Sequence, residues 1–130
     1  MIKAMILAAA ALTMGATSTE AQTMIEKNNI KLENHLMTPE ALWAMGRIGA
    51  TEASPNGKQI VYQVGYYSVK ENKSHQMLFV MDANGKNKKA LTTDAKNESD
   101  AAWINGGQKI AFIRGGQLWS MNPDGTDRKQ

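Results

Sequence analysis

Four glycine-containing turn dipeptides constrain this chain more than any other feature. Asn56-Gly57, Asn84-Gly85, Gly106-Gly107 and Asp124-Gly125 stand between short apolar runs. Such pairs supply the positive φ that tight hairpin turns demand. The runs themselves, Ile60–Val64, Met77–Met81, Ile110–Ile113 and Leu118–Met121, are rich in the β-branched and aromatic residues that favour strands. Together they predict an antiparallel meander.

The meander is written twice. The string Asn56-Gly57-Lys58-Gln59-Ile60-Val61-Tyr62 returns fifty residues later as Gly106-Gly107-Gln108-Lys109-Ile110-Ala111-Phe112. Leu78-Phe79-Val80-Met81-Asp82-Ala83-Asn84-Gly85 returns forty residues later as Leu118-Trp119-Ser120-Met121-Asn122-Pro123-Asp124-Gly125. The first copy therefore carries ten extra residues between its second and third strands, around Tyr66, Tyr67, Ser68, Lys70, Asn72 and Ser74. Each copy reads as four short strands, the fourth falling at Lys88–Thr92 in the first copy. The apolar runs are nearly continuous, which suits sheets buried on both faces. The expected fold class is all-β: an incomplete β-propeller of about two four-stranded antiparallel blades over residues 51–130. A β-sandwich is the alternative. In the second copy only Arg128-Lys129-Gln130 remain to match the fourth strand. A ring typically needs 4–8 blades, so the expectation is a truncated propeller. Such a piece would leave one blade face bare, carrying Ile110, Phe112 or Trp119, and would self-associate.

The N-terminal third is different. Residues 1–21 read as a signal peptide: Lys3 gives a charged start, Ala4–Ala16 is apolar apart from Thr13, and small residues Thr19 and Ala21 precede the expected cleavage point. A run of thirteen residues is too short for a spanning helix, which takes about 20. No membrane span is expected, and the location implied is periplasmic or secreted. Residues 22–50 form a polar lead-in. Thr38-Pro39-Glu40 supplies an N-cap, a first-turn proline and a first-turn acid, so a short helix is expected near 39–45. The absence of cysteine rules out disulfide staples. A formal net charge of +3 is mild, and Lys86, Lys88 and Lys89 lack the aromatic interleaving of a nucleic-acid groove, so no nucleic-acid partner is expected. Asp82-Ala83-Asn84-Gly85-Lys86 has glycine and lysine at the wrong positions for a calcium loop. No metal site and no cofactor are predicted.

Ser54-Pro55-Asn56-Gly57-Lys58-Gln59-Ile60-Val61-Tyr62 and Leu118-Trp119-Ser120-Met121-Asn122-Pro123-Asp124-Gly125 resemble the TolB-like propeller repeat, also found in the prolyl oligopeptidase family of serine peptidases. Asn56 replaces the usual aspartate, and Ile104-Asn105-Gly106 replaces Ser-Pro-Asp. The lead-in Leu36–Ile48 and the insertion Tyr66–Ser74 resemble secreted bacterial members of that family, of the dipeptidyl peptidase and acylaminoacyl-peptidase types. The resemblance implies a propeller that gates the access of short peptides to a C-terminal α/β-hydrolase domain. That domain's Gly-x-Ser-x-Gly nucleophile elbow has no counterpart in this sequence. No catalytic residue is assigned, and peptide substrates would be met through the missing hydrolase domain. His35 and His75, the only histidines, are expected at the surface. Glu98 is the single candidate for substrate binding. It lies in the connection Thr93–Asp100, where a carboxylate near the channel mouth would hold a peptide's amino terminus. The rival function is a TolB-like scaffold for protein partners.

Overall fold

A computed structural model describes residues 23–130; the expected signal peptide lies outside the described residues. One short helix, α1 (Pro39–Ala44), precedes seven strands: β1 (Arg47–Ala53), β2 (Gln59–Ser68), β3 (Lys73–Asp82), β4 (Lys89–Ala90), β5 (Glu98–Ile104), β6 (Lys109–Arg114) and β7 (Gln117–Met121). They form two antiparallel sheets, ordered β1-β2-β3-β4 and β5-β6-β7. The chain is all-β with little helix. β1 opens at Arg47, inside the stretch expected to be lead-in.

The four anticipated turns form with their glycines at positive φ, +68° at Gly57, +81° at Gly85, +91° at Gly107 and +88° at Gly125. A fifth turn, Gly115-Gly116, closes the β6–β7 hairpin in two residues. The copies agree in detail. Asp82 N–H donates to Lys86 O at 2.9 Å and Asn122 N–H to Thr126 O at 2.8 Å. Both entry strands carry a bulge, between Ile48 and Thr51 and between Ser99 and Ala102. Val80 pairs with Lys89 in the first sheet, and Ser120 bridges Lys129 in the second. The ten extra residues are not a loop. They lengthen the hairpin, so that β2 and β3 run ten residues each against six and five for β6 and β7.

The sheets stack through a core of Val61, Leu78, Val80 and Leu91 from the first and Trp103, Ile110, Phe112 and Met121 from the second. Trp103 Nε1 donates to Glu52 O at 3.1 Å and fastens β5 to β1. This corrects the expectation of a bare face carrying Ile110, Phe112 or Trp119. Ile110 and Phe112 are 0 % exposed, and Trp119 packs against the same core. Alternation along the strands puts Ala102, Ile104, Ala111, Ile113 and Leu118 outside instead.

The two faces that meet are not equivalent positions of the repeat. Ile110, Phe112 and Met121 correspond to Ile60, Tyr62 and Met81, which lie on the far side of the first sheet from Val61, Leu78 and Val80. Those last three correspond to Ala111, Leu118 and Ser120, on the far side of the second sheet. The stacking is head to tail, and each outer face repeats one that is already mated.

Candidate functional site

Glu98 heads β5 rather than sitting in an open connection, and its side chain is 0 % exposed. Antiparallel register sets it directly across from Arg114, the last residue of β6. Arg114 Nη1 donates to Glu98 Oε1 at 2.6 Å, and Arg128 Nη2 donates to the same oxygen. Thr92 Oγ1 donates to Oε2 at 2.7 Å while accepting from Leu78 N–H at 2.9 Å. Arg114 also grips Asp94, Nη1 to Oδ1 at 3.1 Å and Nη2 to Oδ2 at 2.5 Å. Arg128 Nη1 donates to Leu91 O at 2.9 Å, and its guanidinium lies 4.8 Å from the Phe112 ring centre.

Two carboxylates and two guanidiniums thus neutralise one another at the end of the sheet–sheet core. Desolvating a charge costs several kcal/mol unless it is paired and hydrogen-bonded, and here each partner is. Among the described residues, every buried side-chain nitrogen and oxygen has a hydrogen-bond partner. The hydrogen bond from Arg114 holds the Asp94 carboxyl below the usual carboxylate range, and the bond to Asp94 pushes Arg114 upward. The cluster can clamp β5, β6, the residues after β4 and the chain around Arg128. A peptide ammonium arriving at Glu98 would have to displace a guanidinium or the Thr92 hydroxyl.

Sequence reading found Glu98 but not its partners. Arg114 and Arg128 lie 16 and 30 residues away, and no local spacing announces them. Arg114 becomes readable once Gly115-Gly116 is recognised as a turn, because the hairpin then sets the register.

His75 also departs from expectation. It is 2 % exposed, with Nδ1 2.9 Å from Ile25 O and Nε2 3.2 Å from Lys96 O. Its ring ties the lead-in at Ile25 and the connection at Lys96 to β3. His35 is exposed as expected.

A second constellation lies at the far end of the long hairpin. The guanidinium of Arg47 sits 4.7 Å from the Trp43 ring centre and 4.5 Å from that of Tyr67, with the two rings edge to face at 5.6 Å. Two adjoining hollows of about 360 and 510 Å³ share Trp43, Tyr67, Ser68 and Val69. Gly46 lets the chain turn from α1 into β1, since a Cβ there would come within 2.8 Å of the Tyr66 ring. Among the described residues, no group of three or more histidine, cysteine, aspartate or glutamate side chains is placed to hold a metal ion.

No family model matches the chain. It is 43 % identical over 102 residues to dipeptidyl-peptidase 5 of Porphyromonas endodontalis, covering 75 % of this chain and 15 % of the relative. It is 37 % identical over 100 residues to dipeptidyl-peptidase 5 of Porphyromonas gingivalis, covering 77 % and 14 %. The chain is linked to a peptidase family. It spans about one-seventh of the length of the curated relatives it matches.

Proposed function

We propose that this chain is the opening part of a β-propeller in an exported serine exopeptidase of the dipeptidyl-peptidase type. The head-to-tail stacking carries the proposal. A sandwich closed on itself would leave two finished surfaces facing water. Here each outer face is a repeat of a mated one, as blades awaiting neighbours would be. The similarity to two dipeptidyl-peptidases supports the choice of enzyme class. In this reading the propeller admits short peptides to a hydrolase domain outside the chain and turns folded proteins away. The protein works in the periplasm or outside the cell, with residues 1–21 removed. The amine-binding role of Glu98 belongs to the same proposal and requires exchange with Arg114 or Arg128.

An exchange experiment tests the proposal. The segment of P. endodontalis dipeptidyl-peptidase 5 that aligns with this chain is replaced by residues 23–130, and dipeptide release from a chromogenic substrate is followed. The hybrid is expected to fold and retain cleavage, while the 130-residue chain alone cleaves nothing. A folded but inactive hybrid, or an active isolated chain, would overturn it.

A further inference from the structure

We infer that His75 is a proton-dependent clasp. With both ring nitrogens protonated it holds the lead-in and the β4–β5 connection together on β3, and on losing one proton it lets the lead-in go. The inference rests on the geometry around one ring, and on neither the peptidase assignment nor the propeller.

Nδ1 lies 2.9 Å from Ile25 O and Nε2 lies 3.2 Å from Lys96 O. Both partners are carbonyl oxygens, which only accept. A neutral imidazole carries one N–H and one lone pair, whereas the imidazolium carries two N–H groups. Only the charged ring donates to both oxygens. In the neutral ring, whichever tautomer forms, one nitrogen turns its lone pair on a carbonyl. The side chain is 2 % exposed, so water has little access to relieve that contact. Leaving a buried polar group unmet is costly.

The two tethers are not equally replaceable. The connection has others: Asn97 Oδ1 accepts from Gln76 N–H at 2.8 Å, Lys96 N–H donates to Asp94 Oδ1 at 3.0 Å, and Arg114 grips Asp94. The lead-in has none. Among the described residues, Ile25 O makes the one hydrogen bond that joins residues 23–37 to a strand. Met24 and Ile25 are half-buried, and residues 26–40 are exposed. The neutral ring therefore keeps its proton on Nε2, toward Lys96 O, and the lead-in is the part that moves away.

The charged and titratable groups around the ring come from every element packed there. They are Tyr66 across the β2–β3 register, Lys73 two residues along β3, Glu26 and Lys27 beside Ile25, and Asp94 and Lys96 on the connection. Asp94 is paired with Arg114. Carboxylates, lysines and tyrosines ordinarily keep one charge state between about pH 5 and 8. Histidine changes its own within that interval. The clasp is closed in acid and opens as the pH rises.

A nitroxide on the lead-in tests this in the full chain. The sequence has no cysteine, so Asn29→Cys gives a single labelling site. Label mobility is read by electron paramagnetic resonance from about pH 5 to 8, with circular dichroism to confirm the strand content at each pH. The label should be restricted at the acid end and mobile at the alkaline end. The ratio of docked to detached lead-in should fall by about tenfold to a hundredfold, as expected for losing a charge-assisted hydrogen bond. His75→Gln, with one amide donor group and one oxygen, serves one carbonyl only and should be mobile throughout. His35→Asn removes the only other histidine and should keep the parent's response. Nitrogen-15 spectra of the ring in the unaltered sequence need no substitution of His75, and should show both nitrogens protonated while the lead-in is docked. A parent with equal mobility at the two ends would overturn the inference. So would a His75→Gln chain that follows the parent, a His35→Asn chain that loses the response, or a docked lead-in beside a ring with one N–H. None of these results touches the hybrid peptidase, whose activity is read separately.

Discussion

Replacing Glu98 by glutamine keeps the shape of the side chain and removes the charge that two guanidiniums share. The carboxylate is 0 % exposed, whereas the side chains of Arg114 and Arg128 are 13 % and 23 % exposed. Removing one partner of a buried pair costs about 3–5 kcal/mol. Arg114 would keep Asp94 and Arg128 would keep the Leu91 carbonyl, so the lower end applies, about 3 kcal/mol. The new amide also turns a donor toward a guanidinium or the Thr92 hydroxyl. In a domain of this size each kcal/mol moves the melting midpoint by about 4–8 °C, which gives a fall of about 12–24 °C. Thermal and urea unfolding followed by tryptophan fluorescence report it, because Trp103 and Trp119 adjoin the core. A Glu98→Gln change within about 0.5 kcal/mol of the parent, the range of ordinary surface substitutions, would refute the clamp. Glu98 would then be free to meet a ligand.

Acid should weaken the same cluster through Asp94. Its folded-state carboxyl titrates below the ordinary value of 3.8, so its contribution is complete at neutral pH and is lost as the pH falls through 3.8 toward the lower folded value. Urea midpoints of the parent and Asp94→Asn should therefore differ at pH 7 and converge at the acid end; a gap that widens in acid would reverse the sign. Phe112→Ala should cost about 3–5 kcal/mol as a cavity in the core, whereas Leu118→Ala should stay within about 0.5 kcal/mol in the dilute monomer. Equal losses at the two positions, measured by urea unfolding, would refute the assignment of inner and outer faces.

The turns were legible because glycine and asparagine announce positive φ locally, and the repeat made strand order legible from them. The faces were not. Ile110-Ala111-Phe112-Ile113 is apolar throughout, so nothing in it says whether the even or odd positions point inward, and a shift of one residue exchanges the sides. Only the partner sheet decides, and it chose Ile110 and Phe112. The insertion around Tyr66–Ser74 was legible as ten extra residues between two strands, but not as strand, because serine, lysine and asparagine interrupt any alternation; its backbone pairs from Tyr66↔His75 to Ser68↔Lys73. Glu98 was misplaced for a related reason. The polar stretch Thr93–Asp100 hides the start of β5, and the partners that draw Glu98 inward come from later in the chain. His75 reads as a surface residue because the carbonyls that bury it belong to residues 25 and 96.

The lengthened hairpin has a consequence for descent. Tyr67 exists as a docking surface only because β2 runs on past the point where β6 stops, and Trp43 and Arg47 rest on it. Neither piece is useful without the other. A lineage that shed the ten extra residues would leave α1 with no aromatic platform, and one that shed α1 would leave Tyr67 unshielded at a hairpin tip. The two should therefore be gained, kept and lost together among related chains, and a relative carrying one without the other should show a compensating change at position 43, 47 or 67.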